Sequence, residues 1–393
     1  MDSLPLDSPI AAPREDALLA ALRLTRSRRV GPTTYFRMMA EHGSAAAALE
    51  ALPRVAQAAG VEDYAPCPAG VARAELDRGR ALGALPLLHG TADYPDALQD
   101  LPDAPPILWA LGRRELLSRP MVALVGARNA SSLGVRMARR LADGLAEAGH
   151  VVVSGLARGI DRAAHLAALK GGTVAVLAGG IDVAYPTENE GLFAEIGEAG
   201  LRLSEHPAGL QPQARHFPQR NRIISGLSRA VVVVEAASRS GSLITARTAL
   251  DQGREVLAVP GHPLDARASG CNMLIRDGAT LVRGPDDVLE ALNAQPTLFE
   301  RRPETAPARV AERARPQITN VPETPAHARR ETPADPAQLH REILDRLGPS
   351  PLAEDQLIRD LALPAGRIAP ELLTLELEGR IARAPGGLIS RRD

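Results

Sequence analysis

FPQRNRIISGLSRAVVVVEAASRSGSLITA, residues 217–246, sets an Arg-Asn-Arg cluster ahead of five uninterrupted apolar positions and closes in Ser-Gly-Ser. A short apolar run bounded by turn residues reads as a strand buried on both faces. Ser-Gly-Ser just before the next periodic segment reads as a helix start. Arginines do not enter such surroundings without a partner, because an unpaired charge is costly to take out of water. The stretch therefore predicts a buried strand between two helices, with an anion as the partner of its arginines.

Upstream and downstream the same pattern repeats. MVALVGA from Met121, VVVSGLARGID from Val151, TVAVLAGG from Thr173, LRLSEHP from Leu201, EVLAVPG from Glu255 and TLVRG from Thr280 are strand-like, with helical segments between them. Continuous apolar strands alternating with helices indicate a parallel sheet covered on both faces. The predicted fold class is α/β: an extended Rossmann-like domain over residues 112–294. Residues 1–85 form a small helical module, in which Gly31-Pro32 opens one helix and Gly43-Ser44 separates it from the next. Residues 86–111 connect the two, and their ILWALG is strand-like. Residues 295–337, rich in Pro, Arg, Glu, Thr and Ala, read as a flexible linker. Residues 338–393 hold three helical segments and the RIARAPGGLIS hairpin, which reads as a winged helix.

The 393 residues carry a net charge of -1, so an anion site has to come from local patterning rather than from overall charge. Lys170 is the only lysine among 46 basic residues, so arginine in place of lysine carries little information at any one position. From Arg215 to Arg254 seven arginines face Glu235 and Asp251, a local charge of +5. Cys67 and Cys271 stand far apart with no metal-ligand or disulfide spacing, which fits a reducing cytoplasm. MDSLPLDSPIAAPRED is acidic and broken by proline, unlike a signal peptide, and the apolar runs are too short for a membrane span. No cofactor or metal is expected.

Ligands of doubly wound sheets bind beyond the carboxyl ends of the strands. Three such turns share glycine, small hydroxyls and arginine: Gly126 to Asn129 with Arg128; Ser154, Gly155, Arg158 and Gly159 ahead of Asp161; and Ser240, Gly241 and Ser242. Glycine lets the backbone approach an anion, helix N-termini bind it, and arginine adds charge. Ser240 and Ser242 equally suit a helix cap, and the glycines tight turns. Arg220, Asn221 and Arg222 lie in the basic stretch, with Phe217 beside them and Tyr185 after the third strand. A basic groove with aromatic faces holds single-stranded nucleic acid, phosphates by charge and bases by stacking. Core packing is the other use of Phe217.

GARNASSLG is not GxGxxG, and no GxxxxGK[ST] exists, which argues against NAD and a P-loop ATPase. Asp161, His165, His206, His216, Glu235 and His262 could ionise, but no catalytic spacing ties them together. The winged helix carries eight Arg against nine Asp and Glu, with Glu371, Glu376 and Glu378 in its third helix, and reads as a protein-contact module rather than a groove reader.

VGARNAS, SGLARGID, YPTEN, FPQRNRIISGLS, SGSLITA and VPGHP, in that order, resemble the DNA-processing protein A (DprA/Smf) family over most of the chain. The resemblance implies a non-enzymatic cytoplasmic protein that binds single-stranded DNA, forms a homodimer through the Rossmann-like domain, protects strands arriving in natural transformation and loads a RecA-type recombinase. Arg128, Arg158, Arg220 and Arg222 are then the phosphate candidates, completed by Ser240, Gly241 and Ser242. Two departures stand out. Thr187 replaces a lysine common in the YPxEN segment. Arg29 stands where the first glycine of a helix-hairpin-helix would be in the N-terminal module, so no DNA contact is assigned there. The competing class is a nucleotide-binding or nucleoside-monophosphate-processing Rossmann-like protein; against it, PGGxGTxxE is missing.

Overall fold

The computed structural model describes residues 15–294 and, further on, residues 339–341, 343–344, 347, 352–361, 363–384 and 388–391. The expected linker, 295–337, lies outside the described residues. The chain divides into two units, Met1–Pro303 and Glu304–Asp393.

The first unit begins with four helices, α1 (Glu15–Arg26), α2 (Pro32–His42), α3 (Ala45–Ala58) and α4 (Ala69–Ala81). Ser44 caps α3 by accepting the N–H of Ala47. Strands β1 (Leu85–Leu88) and β2 (Ile107–Gly112) follow, with the short α5 (Asp96–Gln99) between them. Next come β3 (Met121–Gly126), α6 (Ser132–Glu147), β4 (Val151–Ser154), α7 (Ile160–Ala168), β5 (Thr173–Val176), α8 (Glu190–Ala199) and β6 (Leu201–Ser204). The unit continues through α9 (His216–Leu227), β7 (Ala230–Glu235), α10 (Ser242–Asp251), β8 (Glu255–Ala258), α11 (Ser269–Arg276), β9 (Thr280–Leu281) and α12 (Pro285–Ala294).

All nine strands join one sheet in the order β1-β2-β6-β5-β4-β3-β7-β8-β9. The seven strands from β3 to β9 run parallel to one another, as the alternating pattern predicts. The sheet is nonetheless mixed: β2 pairs antiparallel with β6, and β1 with β2. The segment 86–111 is thus more than a connection. Ile107 to Ala110 are all buried, the mark of a strand covered on both faces.

The chain lays down β3 to β6 in one direction, then returns to place β7 on the other side of β3. That reversal makes the carboxyl ends of β3 and β7 the topological switch point. Helix α6 buries Ala138, Leu141, Ala142 and Leu145, the i, i+3, i+4, i+7 stripe of an amphipathic helix, in one core cluster with Val122, Leu124 and Val232. Ile223, Ile224 and Leu227 of α9 join a different cluster with Ala123, Val153 and Val231, so alternate strand residues serve opposite faces. The helical module is anchored to β2 through Glu75. Its carboxylate accepts from the Trp109 indole at 3.0 Å and from Arg26 at 2.8 and 2.9 Å.

The second unit contains β10 (Leu352–Ala353), α13 (Glu354–Leu361), α14 (Ala365–Leu377), β11 (Ile381–Ala384) and β12 (Leu388–Arg391), with the strands ordered β10-β12-β11. Leu357, Ile368, Leu372, Leu375, Ile381 and Ile389 meet in its core, the packing of a winged helix. Glu371 pairs with His340 at 2.6 Å and Glu378 with Arg380 at 3.8 Å, so these two acidic residues have partners within this unit.

Candidate nucleic-acid interface

Beyond the carboxyl ends of β4 and β5 lies a cavity of about 270 Å³. The turns after β3 and β4, the segment before α8 and the first turn of α9 build it, with Arg128, Gly155, Arg158, Tyr185, Thr187, Glu188, Phe217 and Arg220 among its walls. Gly159, at φ +74°, starts α7; a side chain there would run into the carbonyl of Ala127, so only glycine brings the second turn against the first. Asp161, in the first turn of α7, accepts the backbone N–H of Gly155 at 3.1 Å and of Ala157 at 3.3 Å. The carboxylate thereby shapes the turn that Arg158 rides on.

Arg220 forms the floor. It is only 5% exposed, and it donates to the carbonyls of Gly155 at 2.5 Å and Val176 at 2.7 Å. Gly155 is required here because a Cβ would collide with the guanidinium. The Nε of Arg220 is buried without a partner. Burial, offset in part by Asp161, brings its pKa down to about 10, which leaves it cationic at neutral pH. Asp161 is held above the usual carboxylate range by its own burial, with Arg220 opposing. His165 lies deeper, between the N–H of Leu156 at 3.3 Å and the Thr173 hydroxyl at 2.7 Å, and burial lowers its pKa to about 3.

The open side is cationic and aromatic. Arg128 is exposed and stands 5.1 Å from the centroid of Phe217; Arg220 approaches the same ring at 6.0 Å. Tyr185, 46% exposed, lies 5.6 Å from Phe217 at an interplanar angle of 52°. Arg158 reaches Glu188 at 3.5 Å, an exposed and therefore weak pair. Two cations beside two rings suit a phosphate with its base: the charge is met by guanidinium and the π face by an aromatic.

Of the thirteen site residues expected from sequence, the cavity brings together Arg128, Gly155, Arg158, Phe217 and Arg220. Gly126 and Gly159 act one layer behind as close-approach positions, and the buried Ser154 hydroxyl is committed to the Leu124 carbonyl at 2.6 Å. Asn221 is half-buried and does not line the cavity. Arg222 leaves it altogether. Two residues on from Arg220 along a helix is about 200° around the axis, and its guanidinium pairs with Glu205 on the other side. The third turn is also separate. The Ser240 and Ser242 hydroxyls bond each other at 2.7 Å, Gly241 is the N-cap of α10, and none of the three lines the cavity. Tyr185 completes the aromatic pair; its signal in the sequence is its place directly after the third strand.

The switch point itself is filled by protein. The Glu235 carboxylate accepts the backbone N–H of Ser131 at 3.0 Å and the Ser131 hydroxyl, at the start of α6. Gly134 is required one turn on, since a Cβ there would meet that carboxylate. A helix N-terminus that commonly receives a phosphate here receives a side chain.

A central α/β sheet with a cation- and ring-lined cavity, preceded by a helical module and followed by a winged helix, is the architecture of a nucleic-acid-handling protein. Residues 86–293 match the family described as DNA recombination-mediator protein A; residues 15–77 match the DprA-like N-terminal HHH domain and residues 327–387 the DprA winged helix domain. The chain belongs to this DprA/Smf family. It is 39% identical over 311 residues to Protein Smf of Synechocystis sp., covering 76% of this chain and 78% of that protein. It is 50% identical over 198 residues to DNA processing protein DprA of Streptococcus pneumoniae, 50% of this chain and 70% of that one. The X-ray structure of DNA processing protein A from Streptococcus pneumoniae superposes with a TM-score of 0.55 at 36% identity, covering 66% of this chain and 98% of that one. Among the described residues no helix is long and apolar enough to cross a membrane, and no group of three or more His, Cys, Asp and Glu is placed to hold a metal ion.

Proposed function

We propose that this is a DNA-processing protein that takes up single-stranded DNA at the Arg128–Phe217–Tyr185 cavity, protects incoming strands in natural transformation and passes them to a RecA-type recombinase. Family membership supports the general role, and one observation carries the site: the exposed Arg128 and the buried Arg220 flank Phe217 at 5.1 and 6.0 Å, with Tyr185 alongside. Phosphates bind at the arginines, and bases stack on the rings with little dependence on sequence. A duplex hides its base faces, so it loses the stacking half of the interaction. The protein acts by binding, without a catalytic step, as a cytoplasmic homodimer joined through its sheet domain, and the winged helix serves protein contact.

Fluorescence anisotropy of a labelled oligo-dT and of its duplex, at low and moderate salt, tests this. The expected result is a preference for the single strand, with affinity falling steeply between about 50 and 200 mM salt, as counterion release requires. Equal binding of strand and duplex, or affinity indifferent to salt, contradicts it.

A further inference from the structure

Three of the residues lining the strand cavity are arginines, and one, Glu188, is a carboxylate. A carboxylate in a pocket for phosphate works against its ligand, so its place there needs a reason. Glu188 stands in a short 3₁₀ turn, Thr187–Asn189, that leads into α8. The next residue, Asn189, is 1% exposed, and its amide donates to the carbonyls of Leu156 at 2.8 Å and Ala157 at 3.2 Å. Those carbonyls belong to the turn after β4, and the residue that follows them is Arg158. One buried side chain thus ties together the segments that carry Glu188 and Arg158. It keeps the carboxylate within reach of the guanidinium, at 3.5 Å. Asp161 lies beneath the turn and does not line the cavity.

The two partners are 59% and 58% exposed, and a pair so open to water is weak enough to be exchanged. Among the described residues Arg158 is the one arginine of the cavity with an ion-pair partner. We propose that Glu188 is an exchangeable counter-ion for Arg158: it holds the guanidinium when the cavity is empty and yields it to a phosphodiester when a strand enters. This rests on the strand site proposed above and adds a residue that sets its affinity. Phosphate and carboxylate repel each other, so a strand on Arg158 displaces Glu188. The freed carboxylate then takes up a cation from solution, which offsets part of the counterion release that drives binding. Glu188 therefore lowers the affinity and flattens its salt dependence. A strand held in this way is easier to pass on than one held by three unopposed arginines.

The test titrates the full-length protein and four variants with labelled oligo-dT by anisotropy over a salt series. The variants are Glu188→Gln, Arg158→Ala, the two combined, and Glu190→Gln. Glu190 is exposed and lies outside the cavity, so its variant loses the same charge nearby without touching the pair. At about 150 mM salt Glu188→Gln is expected to bind about two- to fivefold more tightly than the unaltered protein, the range of one exposed ion pair. The slope of log affinity against log salt should steepen by up to about 0.7, the share of one phosphate contact on a single strand. Glu190→Gln should stay within about 1.5-fold, and in the Arg158→Ala background Glu188→Gln should fall to that same level. Tightening that survives Arg158→Ala is a general charge effect and overturns the exchange. Unchanged or weaker binding in Glu188→Gln overturns it too. If neither salt nor Arg128→Ala alters strand binding, the strand site itself fails and this inference with it; a salt-sensitive, Arg128-dependent site that ignores Glu188→Gln removes the counter-ion alone.

Discussion

Two crevices along the carboxyl edge of the sheet, one over β4 and β5 and one over β3 and β7, treat the same problem in opposite ways. Over β4 and β5, a carboxylate is buried beneath the turn: Asp161 shapes the backbone from below, Arg220 forms the floor, and Arg128 and Arg158 face outward at the opening. Over β3 and β7, the carboxylate itself sits on the helix start, Glu235 on Ser131, and Arg136 and Arg140 stand off at the rim. A doubly wound sheet ordinarily offers its anion site at the switch point. Here that position is filled internally, and the proposed strand site lies in the neighbouring crevice, which glycines and a buried arginine build. Fold-level expectation points to the carboxyl edge of the sheet; one carboxylate, that of Glu235, closes the helix start that would otherwise meet an anion there.

The largest effect is expected beneath the first cavity. Arg220→Ala leaves Asp161 buried without its opposing charge and strips two carbonyls of their donor. Leaving buried acceptors unsatisfied costs about 1–3 kcal/mol each, so this variant should unfold at markedly lower denaturant as well as fail to bind. Arg220→Met combined with Asp161→Asn should recover much of the stability and none of the binding. A stable Arg220→Ala would show that the two carbonyl contacts do not hold the floor of the cavity together.

Acid should act on the same floor. His165, buried and lowered to about 3 from 6.5, stays neutral in the folded protein while the unfolded chain takes up a proton below 6.5. The stability it contributes is therefore complete above pH 6.5 and declines as pH falls toward 3, by ~1.4 kcal/mol per pH unit for one proton. His206, lowered to about 4 by burial and by its neighbour His216, adds to the fall over the upper part of that window. Chemical denaturation at pH 7 and pH 5 measures it, and His165→Gln should flatten the dependence without abolishing it.

A smaller effect sharpens the other side. Ser131→Ala removes the hydroxyl that caps α6 at Gly134 and also donates to Glu235. The expected loss is about 1–2 kcal/mol, with single-strand affinity unchanged. A loss of strand binding would mean that the switch point belongs to the strand site after all.

Much of this was legible in the chain. Alternating apolar runs specify a parallel sheet because a strand buried on both faces has no polar side, and β3, β4, β5 and β7 follow that pattern most fully. Arg128, Arg158 and Phe217 could be found because each stands at a strand end or beside an arginine cluster. The partition of the Arg-Asn-Arg cluster could not. Charge is visible in sequence, but whether Arg222 faces a ligand or Glu205 depends on where β6 ends in space. Ser240 to Ser242 show the same limit, since serine beside glycine at a helix start serves a cap and an anion equally well. The seat of β1 and β2 in the sheet was hidden for a different reason. ILWALG reads as strand-like, but Tyr94-Pro95 and Pro105-Pro106 break the alternation around it, and its antiparallel pairing with β6 is set only in space. Arg29, where a hairpin glycine was expected, adopts φ +64°, so the backbone keeps a conformation its side chain disfavours.

The central claim is that strand binding resides in the turns after β3 and β4 and not in the turn after β7. The direct test removes one exposed arginine from each: Arg128→Ala against Arg239→Ala, both titrated against the same labelled oligo-dT at fixed salt. The two variants lose the same net charge, so any difference is positional. Arg128→Ala is predicted to weaken binding about tenfold, and Arg239→Ala to stay within about twofold of the unaltered protein. Equal losses, or a larger loss in Arg239→Ala, would contradict the assignment.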